Sequence, residues 1–183
     1  QHYEYDNICS MGGSYGGYSS LMLVLNNPNK YHCAVARYGV YDLPLLFNSS
    51  NYHVNNAFRM SIEKVVGRNS PKLYEISPVY LSDKINVPVL LIAGKEDHIS
   101  GFEQTNRMKY VMSKKGKNLD YLFYNDTGHG QHRYLGMSHE HSYIFFYLIE
   151  QLGFSIQELL EKGFAQDEVA KEALHIAESF EGS

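Results

Sequence analysis

Three residues in this chain have the types and settings for nucleophilic chemistry: Ser14, Asp97 and His129. A serine hydroxyl attacks a carbonyl only when a base takes its proton, and that base needs a third group to orient it. Ser14 lies in Ile8-Cys9-Ser10-Met11-Gly12-Gly13-Ser14-Tyr15-Gly16-Gly17-Tyr18, a short apolar run climbing into Gly-x-Ser-x-Gly. A strand before and a helix after are the context this pattern requires. The turn throws one serine out of the top of a sheet on a strained backbone. Side chains two residues to either side are expected to collide with the neighbouring strand and helix, so glycine fits there. A helix beginning at Tyr15 aims free N–H groups and the positive end of its dipole at the site. The Tyr15 N–H is therefore the expected donor to an oxyanion forming next to Ser14. A phosphate-binding loop would need a Lys-Ser/Thr pair where this chain has Tyr18-Ser19-Ser20.

The partners of Ser14 are expected at the ends of later strands, where parallel sheets build their sites. One strand ends in Ala93-Gly94-Lys95-Glu96-Asp97, and the next in Asn125-Asp126-Thr127-Gly128-His129-Gly130. Ser14, Asp97, His129 is the chain order of α/β-hydrolases. Asp97 could instead cap the helix that follows it. Glu96 is an adjacent alternative acid, and Asp126 is either a turn residue or a replacement for Asp97. His129 sits between two glycines, a poor place for a structural histidine and a good one for a mobile base. His132, His139 and His141 lie near it, but their spacing is not that of a helical HExxH or a Cys/His zinc site. Neither a metal nor a cofactor is expected.

The elements that must position these groups follow from hydrophobic patterning. Residues 8–11, 33–38, 87–94 and 119–124 read as strands. Residues 15–25, 57–66, 102–115 and 136–152 read as helices. Residues 48–56 read as a polar, flexible connection. The run 87–94 is apolar throughout, as in a strand covered on both faces. Strands alternating with helices predict a parallel sheet flanked by helices on both faces. The stretch 154–183 differs: Gly163 divides two short helices, and Val169, Ala173, Ile176 and Phe180 share one face of the second. Two parts are expected, a partial catalytic domain over 1–153 and a helical extension over 154–183.

The 183 residues suffice for one domain with a real core, and 44% are hydrophobic, an ordinary share for a globular protein. The net charge of −4 and the lack of a basic block argue against nucleic acid as a partner. No apolar run approaches membrane-spanning length, so no membrane partner is expected. Cys9 and Cys33, both in expected buried strands, read as small core side chains with free thiols. The pair gives no disulfide framework, which leaves the compartment open, with a leaning towards a reducing, cytoplasmic one.

Taken in order, these segments resemble the prolyl oligopeptidase family of serine peptidases, and within it the acylaminoacyl-peptidase and dipeptidyl-peptidase-like branches. Gly12-Gly13-Ser14-Tyr15-Gly16-Gly17-Tyr18 is similar to the family's nucleophile segment. Cys33-Ala34-Val35-Ala36 with Gly39-Val40-Tyr41-Asp42-Leu43 resembles its second segment. Ser77-Pro78, Val87 to Asp97, Gln104 seven residues after the acid, and Gly128-His129-Gly130 continue the match over about residues 5–152. The resemblance implies the C-terminal part of an α/β-hydrolase domain acting on peptides. It also implies a substrate pocket at Leu43, Leu46 and Phe47, with Tyr15 from the elbow; these side chains are apolar.

Two departures stand out. Ser100-Gly101 occupies the place where the family usually has Val-Pro. The chain also starts almost at the nucleophile strand, where family members carry earlier strands of the same sheet and usually a β-propeller. That arrangement leads one to expect a piece of a longer chain, or a homo-oligomer pairing across the bare edge of residues 8–11. The leading expectation is a serine peptidase working through an acyl-enzyme. The alternatives are a carboxylesterase with the same three residues, and an inactive fragment acting by association.

Overall fold

A computed structural model of the protein describes residues 7–155. The expected helices of the tail, with Val169, Ala173, Ile176 and Phe180, lie outside the described residues. Four strands form the sheet: β1 (Cys9–Gly13), β2 (Cys33–Arg37), β3 (Val89–Gly94) and β4 (Leu119–Tyr124). They stand in the order β1-β2-β3-β4, and every neighbouring pair is parallel. The helices are α1 (Tyr15–Asn26), α2 (Leu43–Leu46), α3 (Ser50–Val54), α4 (Asn56–Val66), α5 (Lys72–Glu75), α6 (Pro78–Leu81), α7 (Phe102–Lys114) and α8 (Tyr134–Gln151).

Strand order equal to chain order has a consequence for the helices. Parallel crossovers are right-handed, so a sheet that grows in one direction puts its crossover helices on the same face. The core agrees. Leu21 and Val24 of α1 and Met108 and Met112 of α7 pack with Ala34 and Ala36 of β2 and Val89 and Leu91 of β3. The alternate residues Val35, Leu90 and Ile92 are fully buried as well, so β3 carries no polar side chain on either face. Polar groups fasten α1 to the sheet: the Ser20 hydroxyl lies 3.2 Å from the carbonyls of both Ser10 and Val35.

The stretch 48–56, expected as an irregular connection, contains α3 and the start of α4. Short polar side chains supply both helix starts. Ser49 Oγ accepts from the Tyr52 N–H at 3.3 Å, and Asn55 Oδ1 accepts from the Phe58 N–H at 3.0 Å. The reading of Cys9 and Cys33 as free thiols is also corrected. The register of β1 on β2 sets the two residues directly opposite each other, with Cα atoms 4.6 Å apart, and they form a disulfide. The leaning towards a reducing compartment loses its ground with them.

Residues 9–130 form one unit, which contains the whole sheet and α1 to α7. A second unit holds, among the described residues, 7–8 and 131–155, with α8 and a hydrogen bond from the Asn7 side chain to the Leu152 carbonyl. No helix among the described residues is long and apolar enough to cross a membrane.

Candidate active site

The chain leaves β1 at Gly13 and enters α1 at Tyr15, so one residue makes the whole turn. That residue, Ser14, has φ 56° and ψ −123°. A non-glycine residue in this region costs on the order of 1–3 kcal/mol and needs its surroundings to hold it there. The Ser14 N–H donates to the Arg37 carbonyl at 2.9 Å and ties the elbow to the end of β2. A Cβ on Gly12 would overlap the Gly16 backbone carbonyl, and one on Gly17 would come within 2.8 Å of the Arg37 carbonyl oxygen. Gly16 differs from expectation: a Cβ there meets nothing within 4 Å. The crowding on the helix side belongs to Gly17, and Gly16 supplies the backbone that Gly12 must approach.

Serine is a favoured N-cap because its oxygen usually accepts from the first turn. Ser14 makes no such bond; its Oγ lies 2.8 Å from His129 Nε2. The other ring nitrogen, Nδ1, lies 2.8 Å from Asp97 Oδ2. Ser14, His129 and Asp97 therefore converge within a single unit of the fold. The first turn of α1 carries no acidic residue, which leaves its positive end uncompensated. Tyr15, as the first helical residue, has no carbonyl one turn back for its N–H. Its side chain is 62% exposed.

Asp97 and His129 meet because the ends of β3 and β4 continue to pair beyond the strands. Lys95 N–H donates to the Tyr124 carbonyl at 2.8 Å, and Glu96 N–H to the Thr127 carbonyl at 3.0 Å. A side chain on Gly94 would run into the Thr127 carbonyl, so glycine lets the histidine loop close over the strand end. Gly130 has φ 114°, a turn that only glycine takes readily. Asp97 is 5% exposed, whereas Glu96 and Asp126 are exposed. Burial pushes the Asp97 carboxyl up. The hydrogen bond from His129, the N–H groups of Ile99 and Ser100, and the attraction of the imidazole outweigh it and hold the group below the usual carboxylate value.

The pocket residues expected from the resemblance separate. Leu43, Leu46 and Phe47 are all buried and pack with Leu73 in an apolar cluster. Leu46 also lines a cavity of about 310 Å³ beside the acid, together with Leu45, Asp97, Ile99, Ser100 and Gln104. Gln104 is buried and clamps the segment after β2. Its Oε1 accepts from the N–H groups of Tyr41 (2.9 Å) and Asp42 (2.7 Å), and its Nε2 donates to the Asp42 carbonyl at 2.9 Å. Ser100 was visible in the sequence only as a departure from the family pattern; in the structure its Oγ lies 3.4 Å from His129 Nδ1. Among the described residues no group of three His, Cys, Asp or Glu side chains is arranged to hold a metal ion.

The model of the prolyl oligopeptidase family matches residues 1–154 of this chain. The chain belongs to the prolyl oligopeptidase family. Among curated relatives, dipeptidyl peptidase family member 6 of Caenorhabditis elegans is 28% identical over 153 residues, which is 80% of this chain and 20% of that protein. The acylamino-acid-releasing enzyme of Rattus norvegicus is 27% identical over 124 residues, covering 65% of this chain and 17% of that protein. The chain thus spans about a fifth of the length of these two relatives. Solved structures share its fold. A puromycin-hydrolyzing peptidase of Mycobacterium tuberculosis superposes with a TM-score of 0.71 at 21% identity, over 79% of this chain and 22% of that one. The acylaminoacyl peptidase of Pyrococcus horikoshii gives a TM-score of 0.68 at 18% identity, over 80% and 24%.

Proposed function

We propose that this chain carries the nucleophile, base and acid of a serine peptidase that cleaves short peptides through an acyl-enzyme. The observation that carries the reading is the pair of 2.8 Å contacts, Ser14 Oγ to His129 Nε2 and His129 Nδ1 to Asp97 Oδ2. His129 takes the Ser14 proton as Oγ bonds to the carbonyl carbon. The carbonyl electrons move to oxygen, where the Tyr15 N–H and the N-terminus of α1 meet the developing charge. His129 then returns the proton to the leaving amine, and water repeats the sequence on the ester. Leu46, on the wall of the cavity beside Asp97, is the member of the expected pocket best sited to read an apolar side chain. Membership of the prolyl oligopeptidase family, and a relative named as a dipeptidyl peptidase family member, support peptides over simple esters.

A fluorophosphonate probe tests the nucleophile without knowledge of the substrate. Ser14 should be labelled, and aminoacyl anilides should be turned over faster than short-chain esters. Failure of the probe to label Ser14 would refute the reading. Preference for the plain ester would convert it to a carboxylesterase.

β1 stands at the edge of the sheet, paired among the described residues with β2 alone, and Met11 on it is 56% exposed. An unpaired strand edge next to the nucleophile is a template for another strand. We propose that this edge is covered either by more of the same protein or by a second copy. Light scattering after size-exclusion chromatography of residues 1–183 should give a self-associated species; a stable monomer active at the level of a full-length relative would overturn the proposal.

A further inference from the structure

Ser100 touches the site in three ways. Its backbone N–H donates to Asp97 Oδ1 at 3.0 Å, its hydroxyl donates to the Tyr38 carbonyl at 2.8 Å, and its Oγ faces His129 Nδ1 at 3.4 Å. The residue is buried. Tyr38 is itself unusual: with Ser14 it makes up the non-glycine residues of positive φ among those described, at 47°. Its N–H is held by the Ile92 carbonyl at 2.7 Å, and its ring meets the His129 ring edge-on with centroids 6.2 Å apart. A strained tyrosine at the end of β2 thus offers its carbonyl to Ser100 and its ring to the base.

Proton positions decide what this arrangement does. A hydroxyl has one proton to donate. With that proton on the Tyr38 carbonyl, the oxygen of Ser100 presents a lone pair to Nδ1. Asp97 Oδ2, on the same nitrogen, is also an acceptor. Nδ1 meets acceptors only, so it carries the ring proton, and the Nε2 lone pair is left facing Ser14. We propose that Ser100, held by Tyr38, is a positioning residue that reinforces the Nδ1–H tautomer of His129 and pins the loop bearing Asp97. The inference rests on the catalytic reading of Ser14, His129 and Asp97. When His129 takes the serine proton, its ring becomes positive and the bond from Nδ1–H to the Ser100 Oγ lone pair gains strength. The benefit falls on the chemical step and not on substrate binding.

The test is saturable inactivation of the protein by a fluorophosphonate, which separates the affinity for the probe from the rate of bond formation. Ser100→Ala should slow the chemical step about tenfold with the affinity unchanged within about twofold, the scale of one hydrogen bond. Ser100→Thr, which keeps the hydroxyl, should restore the rate to within about threefold of wild type. Ser100→Val has the shape of Thr without the hydroxyl and should behave like Ala, so the Thr and Val pair measures the hydroxyl even if Ala folds poorly. A folded Val variant that reacts at the wild-type rate, a change confined to affinity, or Thr as slow as Val would each overturn the role of Ser100. Wild-type protein that takes no probe would instead refute the catalytic reading on which the role rests.

Discussion

Ser14→Ala should abolish fluorophosphonate labelling and lower turnover of an aminoacyl anilide by on the order of 10⁶, the loss that follows removal of the nucleophile from a working triad. The structure explains why stability should be spared. The Ser14 side chain caps nothing in α1, and its hydroxyl points to His129. The bonds that hold the elbow, Ser14 N–H to the Arg37 carbonyl and Gly17 N–H to the Ser14 carbonyl, both 2.9 Å, belong to the backbone and survive the change. Alanine also accepts the same φ at about the same cost as serine. The thermal midpoint should therefore stay within a few degrees. Hydrolysis that persists in a clean Ser14→Ala sample would mean that another group is the nucleophile.

Asp97→Asn should lower turnover by about 10⁴. The reason lies in the loop that follows the acid. Asp97 Oδ1 accepts from the N–H groups of Ile99 at 2.9 Å and Ser100 at 3.0 Å. Both are donors, so an asparagine must keep its oxygen there and turn its NH₂ to His129. Nδ1 then has to accept, its proton moves to Nε2, and the ring can no longer take the proton of Ser14. Asp126→Asn, at an exposed position, should leave turnover within about twofold, as surface substitutions usually do. Reversal of the two effects would move the role of the acid to Asp126. Stability carries a second signature. A carboxyl held below its usual value contributes stability that is present above the unfolded-state value and is lost as pH falls through the lower folded one. In wild type this contribution should fade only at acid pH. It should be absent from Asp97→Asn, as chemical denaturation across pH would show.

Local sterics made the elbow legible from residues alone. The glycines, the serine and the helix start lie within six residues of one another, and the close approach of Gly12 to Gly16 is built into any strand-turn-helix of that length. The alternation of apolar runs with helical periodicity carried the parallel sheet in the same way. Even so, the pattern could not say which glycine is crowded: Gly17 presses on the Arg37 carbonyl, and Arg37 is on another strand.

Everything that depended on register waited for the tertiary structure. Glu96, Asp97 and Asp126 are all carboxylates near strand ends. Only the continued pairing of β3 with the histidine loop buries Asp97 against Nδ1 and leaves the other two exposed. Cys9 and Cys33 are 24 residues apart, and nothing local joins them until β1 and β2 align them. Leu43 and Phe47 could have been pocket or core, because an apolar side chain suits both; α2 turns them into the cluster with Leu73. The bond from Ser100 to Tyr38 spans 62 positions. Residue types and their spacing specify which groups are chemically able to act and in what order they arrive. The fold decided which of them touch, because a hydrogen bond tolerates a few tenths of an ångström and strand alignment at that precision is set by packing across the whole sheet.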